Sequence, residues 1–141
     1  PINILPLLFT LVTVVQMQQI INATRVLSYR VFFFTLYSMG LRLGEGLQLR
    51  VGDLDAERMR VHVRDAKGNR DRLVPLPAHT LEVLREFWKE HRNPVLLFPS
   101  RQKGLAGAAS AMTHMDRGGV QQALRQVTAQ IGLKKELRRI A

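Results

Sequence analysis

Arg42 is the leading candidate for chemistry, because it stands where a buried helix is predicted to end. It follows closely on Gly40, and Glu45 comes three residues later. At that spacing on a helix a carboxylate can hold a guanidinium, and an arginine beside a core helix needs such a partner. Taken alone, the pattern favours a structural ion pair between Arg42 and Glu45. The turn residues around Lys67 likewise favour an ordinary turn lysine.

Other common chemical groups are missing or lack partners. The chain has no cysteine, which excludes disulfide frameworks, thiolate zinc sites and cysteine nucleophiles. Its four histidines have no neighbours in the sequence that would complete a metal site or a catalytic triad. We therefore expect no metal ion and no other cofactor.

Net charge is the strongest property of the whole chain. Its 21 lysines and arginines outnumber 11 aspartates and glutamates, which gives a formal charge of +10 over 141 residues. Such an excess favours a polyanionic partner, and nucleic acid is the most common one for a compact domain. The alternative is a basic surface that only keeps the protein in solution. Apolar stretches at 2–15 and 31–41 are too short to span a bilayer, so no membrane partner is expected.

A β-hairpin is predicted where apolar and basic residues alternate. Met59, Val61 and Val63 would share the buried face of a strand over residues 58–64. Turn residues follow at 67–70, and a second strand covers 72–75. The hairpin would have a basic tip and a basic outer face, which consists of Arg58, Arg60, His62 and Arg64.

Helical periodicity surrounds the hairpin on both sides. It predicts helices over residues 7–24, 28–39, 43–49 and 120–131, with a further one after Pro77. Residues 100–118 are rich in glycine, alanine and serine and are predicted to form a long basic loop. The expected fold class is therefore α+β, mostly helical with a small antiparallel sheet.

Four short motifs follow one another in an order typical of one family. They are residues 37–45 with Arg42, residues 49–55, the hairpin segment 66–77 with Lys67, and residues 96–100. Together they resemble the catalytic domain of the tyrosine recombinases, the phage integrase family, most strongly over residues 20–100. The resemblance implies that residues 1–141 form a single partial catalytic domain, truncated at its C-terminus. It also implies a role in DNA integration and site-specific recombination, as in mobile elements.

The resemblance assigns roles to individual residues. Breaking a phosphodiester builds negative charge on its non-bridging oxygens, and a guanidinium matches that charge with a two-pronged hydrogen bond. Arg42 would be the first of two such arginines, and Lys67 would be the general acid for the leaving 5′ oxygen. Glu45 would support the loop that holds Arg42. Residues 135–141 loosely resemble the next family motif, with Arg138 as the second arginine, although a solvated basic tail is the simpler interpretation.

The family's tyrosine nucleophile has no counterpart after Arg42. The two tyrosines, Tyr29 and Tyr37, precede it on an apolar helix, and we interpret both as core residues. A phosphotyrosyl intermediate needs that side chain, so the chain is expected to bind DNA without cleaving it alone. A partner subunit could supply a tyrosine in trans.

Double-stranded DNA is the expected partner, and the cytoplasm, on a bacterial nucleoid, the expected location. One alternative is a non-catalytic DNA-binding or regulatory module on the same scaffold, and another is a basic domain that binds acidic protein or membrane surfaces. Self-association through exposed apolar surface is also expected. Predicted phosphate contacts would come from Arg58, Arg60, Arg64, Arg70, Arg72, Arg101, Lys103 and Arg117.

Overall fold

The computed structural model describes residues 15–64 and 70–132. Within them the α+β fold predicted from the sequence is confirmed, as helices surround one small antiparallel sheet. Residues 15–23 are helical and are called α1; residues 7–14 of the helix predicted over 7–24 lie outside the described residues, and Thr24 follows the end of the helix. The following elements are α2 (Leu27–Met39), α3 (Leu43–Leu47), a 3-10 turn (Val51–Asp53), β1 (Leu54–Asp55), β2 (Arg60–Val63), β3 (Arg72–Pro75), α4 (Ala78–His91), α5 (Gly104–Ala108) and α6 (Arg117–Gln130).

Helix α2 forms the centre of the core. The Phe32 ring is fully buried and meets the Phe98 ring edge-on, with 5.0 Å between ring centres. Phe98 in turn lies 5.7 Å from Phe87 of α4, so three aromatic rings join α2, α4 and the loop after α4. Burial of such large rings is a main source of stability in a domain of this size.

Two glycines determine how the chain leaves α2. Gly40 ends the helix with φ of +64°, a left-handed conformation that favours glycine. Gly46 lies in α3 where that helix packs on α2, and a Cβ placed there would lie within 3.0 Å of the Phe32 ring and closer still to Leu36. The glycine therefore allows α3, and the loop before it, to approach the core helix.

The sheet has the strand order β1–β2–β3, and both pairings are antiparallel. Val61 and Val63 of β2 are fully buried while Arg60 and His62 are partly exposed, so the predicted alternation is confirmed over residues 60–63. The prediction that the strand begins at residue 58 is wrong. Met59 has φ of +51° in the turn before β2, and this backbone conformation does not continue a strand.

The segment predicted as one long loop over 100–118 contains more structure. It includes the short helix α5, and α6 begins at Arg117, three residues earlier than expected. The Asp116 side chain accepts a hydrogen bond of 2.9 Å from the N–H of Gly119, and this cap explains the earlier start. In residues 15–64 and 70–132, no helix has both the length and the apolar character that a membrane crossing requires.

Candidate functional site

Arg42 occupies the position just before α3, where the chain is extended rather than helical. Its backbone N–H donates a 2.8 Å hydrogen bond to Oε1 of Glu45, and Arg42 as a residue is exposed to solvent. The ion pair that the spacing favours when taken alone is therefore not formed between these two side chains. Because Arg42 precedes the first helical turn, the glutamate reaches its backbone instead, as in a helix N-terminal cap.

The side chain that pairs with Glu45 comes from the hairpin. Nη1 of Arg72 lies 3.0 Å from Oε2, and Nη2 donates to Oε1 at 3.1 Å, so the two groups meet in a two-pronged arrangement. The glutamate side chain is only 7% exposed, whereas that of Arg72 is 46% exposed. One buried carboxylate thus joins the backbone of the Arg42 loop to the first residue of β3.

A second carboxylate repeats this arrangement. Oδ2 of Asp53 accepts the backbone N–H of Arg50 at 3.0 Å, and Oδ1 accepts Nη2 of Arg64 at 2.9 Å. The aspartate side chain is 5% exposed. Its hydrogen bond and charge raise the pKa of Arg64 above the usual arginine value.

Asp53 has no role among the site residues predicted from the sequence, although the sequence contains a signal for one. Residues 42–45 read Arg-Leu-Gly-Glu and residues 50–53 read Arg-Val-Gly-Asp, so an arginine precedes an acid by three positions twice within twelve residues. In both copies the acid binds the backbone of its own arginine and the guanidinium of a hairpin arginine. The repeated spacing could have identified both carboxylates as supports.

The outer face of the hairpin is less positive than its sequence indicates. Arg58 and Arg60 both approach Asp55, at 3.6 and 3.8 Å, and Nε2 of His62 lies 2.9 Å from Oδ2 of Asp71. Arg64 and Arg72 pair with Asp53 and Glu45, as described above. Each basic residue of the turn before β2, of β2 with the residue after it, and of β3 therefore has a carboxylate neighbour. Their roles as phosphate contacts remain predictions, and the net charge that they present is small.

The other predicted contacts lie around this face and on the α5–α6 side. Arg70 is exposed beside the undescribed residues 65–69, and Lys103 and Arg117 are exposed near the starts of α5 and α6. Cζ of Arg101 stacks 4.7 Å from the centre of the Tyr29 ring. Lys67 and Arg138 lie outside the described residues.

The interpretation of the two tyrosines needs one correction. Tyr29 is half-buried between Arg101 and Phe33, whose ring stacks on it with 6.5 Å between centres. Tyr37 is 36% exposed, so its assignment to the core is wrong.

His91 is a buried titratable group outside this site. It is 1% exposed, and its Nδ1 accepts the backbone N–H of Asn93 at 3.0 Å. Burial lowers its pKa to about 4, so the ring is neutral near pH 7. No group of three His, Asp or Glu side chains capable of holding a metal ion occurs in the described part of the chain.

Comparisons with known proteins agree on one family. The sequence profile of the phage integrase family matches residues 11–139. The "Putative integrase/recombinase y4qK" of Sinorhizobium fredii is 34% identical over 105 residues, which cover 70% of this chain and 34% of that protein. An integrase/recombinase of Escherichia coli is 47% identical over 58 residues, or 41% of this chain and 17% of its own length.

An archaeal protein is also similar. Tyrosine recombinase XerA of Thermococcus onnurineus is 43% identical over 58 residues, which represent 41% of this chain and 21% of that protein. The chain spans about a third of the length of the first two Sinorhizobium fredii relatives that it matches.

Proposed function

Since this chain belongs to the phage integrase family, the tyrosine recombinases, we propose that it binds double-stranded DNA and supplies part of a phosphodiester-transfer site. The observation that carries the proposal is the setting of Arg42. Its guanidinium belongs to an exposed residue, while its backbone is fixed by the buried carboxylate of Glu45. The backbone of Arg42 is therefore in place before a phosphate arrives, and its side chain is accessible to that phosphate.

The proposed chemistry divides between charge stabilisation and proton transfer. Arg42 would donate two hydrogen bonds to the non-bridging oxygens of the scissile phosphate, where negative charge grows in the transition state. Lys67, in the segment that joins β2 to β3, would protonate the leaving 5′ oxygen. Arg138 would be the second arginine, and this is the weakest of the three assignments.

We further propose that these 141 residues do not form a covalent link to DNA by themselves. Residues 42–141 contain no tyrosine, and the Tyr29 ring is covered by Arg101. Tyr37 is exposed but lies near the far end of α2 from Tyr29, with no carboxylate or histidine bonded to its hydroxyl in the described residues. A tyrosine from a second subunit would complete the site.

A non-catalytic DNA-binding module is the second candidate function. The same lack of a tyrosine after Arg42 favours it, because binding requires no nucleophile. The two candidates differ in what is expected when a partner subunit supplies a tyrosine. The first candidate predicts DNA cleavage in that case, and the second predicts binding alone. Either function would place the protein on DNA, and therefore on the nucleoid of a bacterial cell.

The test is to incubate the protein with end-labelled nicked and supercoiled DNA and to search for a covalent adduct on a denaturing gel. Binding is measured beside it as a function of salt for the wild type, Arg42→Ala and Arg85→Ala. Arg85 is a matched control, because it is exposed on α4 and has no part in the proposed site.

We expect binding that weakens steeply with salt and no adduct. Loss of one phosphate contact in Arg42→Ala should reduce the slope of log K against log salt by about 1, with no change in Arg85→Ala. Equal slopes in all three proteins would remove Arg42 from the DNA interface. An adduct would refute the proposal that these residues form no covalent link to DNA by themselves.

A further inference from the structure

Arg64 and Arg72 stand at the two ends of the undescribed segment 65–69. Arg64 directly follows the last residue of β2, Arg72 is the first residue of β3, and the register pairs Val63 with Arg72. These two arginines therefore bracket the segment that contains Lys67. The Arg64 side chain pairs with the buried carboxylate of Asp53, and the Arg72 side chain pairs with that of Glu45.

The two acids come from the segments that follow Arg42 and Arg50. Each accepts a hydrogen bond from the backbone N–H of its own arginine, and this local contact orients the carboxylate independently of the hairpin. The Arg64–Asp53 and Arg72–Glu45 pairs then join residues that are 11 and 27 positions apart in the sequence. A hydrogen-bonded ion pair with one buried partner is more strongly directional than an exposed pair.

We propose that Arg64 and Arg72 are positioning residues that hold the base of the hairpin, where β2 ends and β3 begins, against the Arg42 loop. On the proposed function, which this inference deepens, they would hold in place the two strand ends that flank the segment containing Lys67. Their main role is then not to contact phosphate, although both side chains keep about 40% or more exposure.

Amide hydrogen exchange without DNA tests the first part. In Arg64→Gln, the amides at the end of β2 and the start of β3 should exchange about tenfold faster, as expected from loss of one charge-assisted hydrogen bond. Arg58→Gln is the matched control, since Arg58 lies in the same region but pairs with Asp55 at 3.6 Å and has a 69% exposed side chain. Core amides of Phe32 and Leu84 should keep their rates.

A second variant and a second measurement guard against loss of folding. Arg72→Lys keeps the charge that balances the buried Glu45 but cannot reproduce the two-pronged contact. Because the chain lacks cysteine, Arg70→Cys and Gln122→Cys place a spin-label pair just before β3 and on α6. The distance distribution should broaden in both Arg64→Gln and Arg72→Lys and stay unchanged in Arg58→Gln.

Either of two results would overturn the proposal. One is an unchanged distance distribution in both variants, and the other is an equal acceleration of hairpin and core amides, which would show stabilisation of the whole fold only. Neither measurement uses DNA, so a chain that fails to bind DNA would refute the proposed function and leave the positioning role to stand or fall separately.

Discussion

Acidification should destabilise the protein through His91. The folded ring has a pKa of about 4 because it is buried, and the backbone of Leu97 opposes the shift only in part. In the unfolded chain the same ring has an ordinary pKa near 6.5. The perturbation is therefore a fall in pH from 7 to 5, compared between the wild type and His91→Asn.

The sign follows from counting bound protons. Below pH 6.5 the unfolded state binds a proton on His91 that the folded state does not, so protonation favours unfolding. The stability that the neutral His91 ring contributes is complete above pH 6.5. It is lost progressively as the pH falls towards the folded pKa of about 4. The difference between the folded and unfolded pKa values corresponds to about 3 kcal/mol in total, of which about 2 kcal/mol is lost by pH 5.

The free energy of unfolding is measured by urea denaturation of both proteins at pH 7 and pH 5. His91→Asn keeps an acceptor near Nδ1 for the Asn93 N–H but loses the ring that lies 4.7 Å from Phe87, so it should be less stable at pH 7. Effects of pH that do not involve position 91 are common to both proteins and cancel in the comparison. The stability gap should shrink by about 2 kcal/mol at pH 5.

A gap that stays constant between pH 7 and pH 5 would refute this reasoning. It would mean that His91 binds a proton as readily when folded as when unfolded, and therefore that water or a polar group reaches its buried Nε2. No such partner for Nε2 is found among the described residues.

Three further predictions concern packing, the loop after α4 and assembly. Gly46→Ala should lower the free energy of unfolding by about 1–2 kcal/mol, since crowding against Phe32 outweighs the gain in helix propensity. Thermal melting measures this loss. The control is Gly52→Ala, whose added methyl group meets open space, so its melting temperature should stay close to that of the wild type. Asn93→Ala should cost about 3 kcal/mol or more, because the buried amide donates to Ala108 and Ala111 and accepts two backbone N–H groups. Limited proteolysis should then cut residues 100–113 faster, and unchanged cutting would contradict the assignment of Asn93 as their anchor. Light scattering at high salt should show species larger than a monomer, as expected from exposed apolar side chains, and a clean monomer would exclude self-association.

Local pattern was sufficient to predict the elements that carry the site. The alternation at 60–63 identified β2, and the apolar run at 28–39 identified α2, because burial requires one side-chain period for a strand and another for a helix. The pattern failed at Met59, where a side chain of suitable type sits in a left-handed turn. It also missed α5, because a Gly-Ala-rich segment resembles a loop unless its tertiary contacts are known.

The partners of charged residues could not be predicted in the same way. The sequence placed Glu45 beside Arg42, but it did not show that Arg72, 27 positions later, would take the carboxylate. It also presented the hairpin as a basic face without the acids that neutralise it, since Asp53 and Asp55 reach that face only through the sheet. Such contacts depend on tertiary packing, which a local pattern does not contain.

The shared carboxylate of Glu45 has a consequence for how this sequence can change over time. Because one group binds both the Arg42 backbone and the Arg72 guanidinium, positions 45 and 72 are expected to covary among homologues. Loss of Arg72 first would leave a buried negative charge with only a backbone donor, while loss of Glu45 first would release an arginine that water still reaches. Substitution paths should therefore pass through position 45 before position 72, and an aspartate at 45 should appear only with a compensating change in the hairpin.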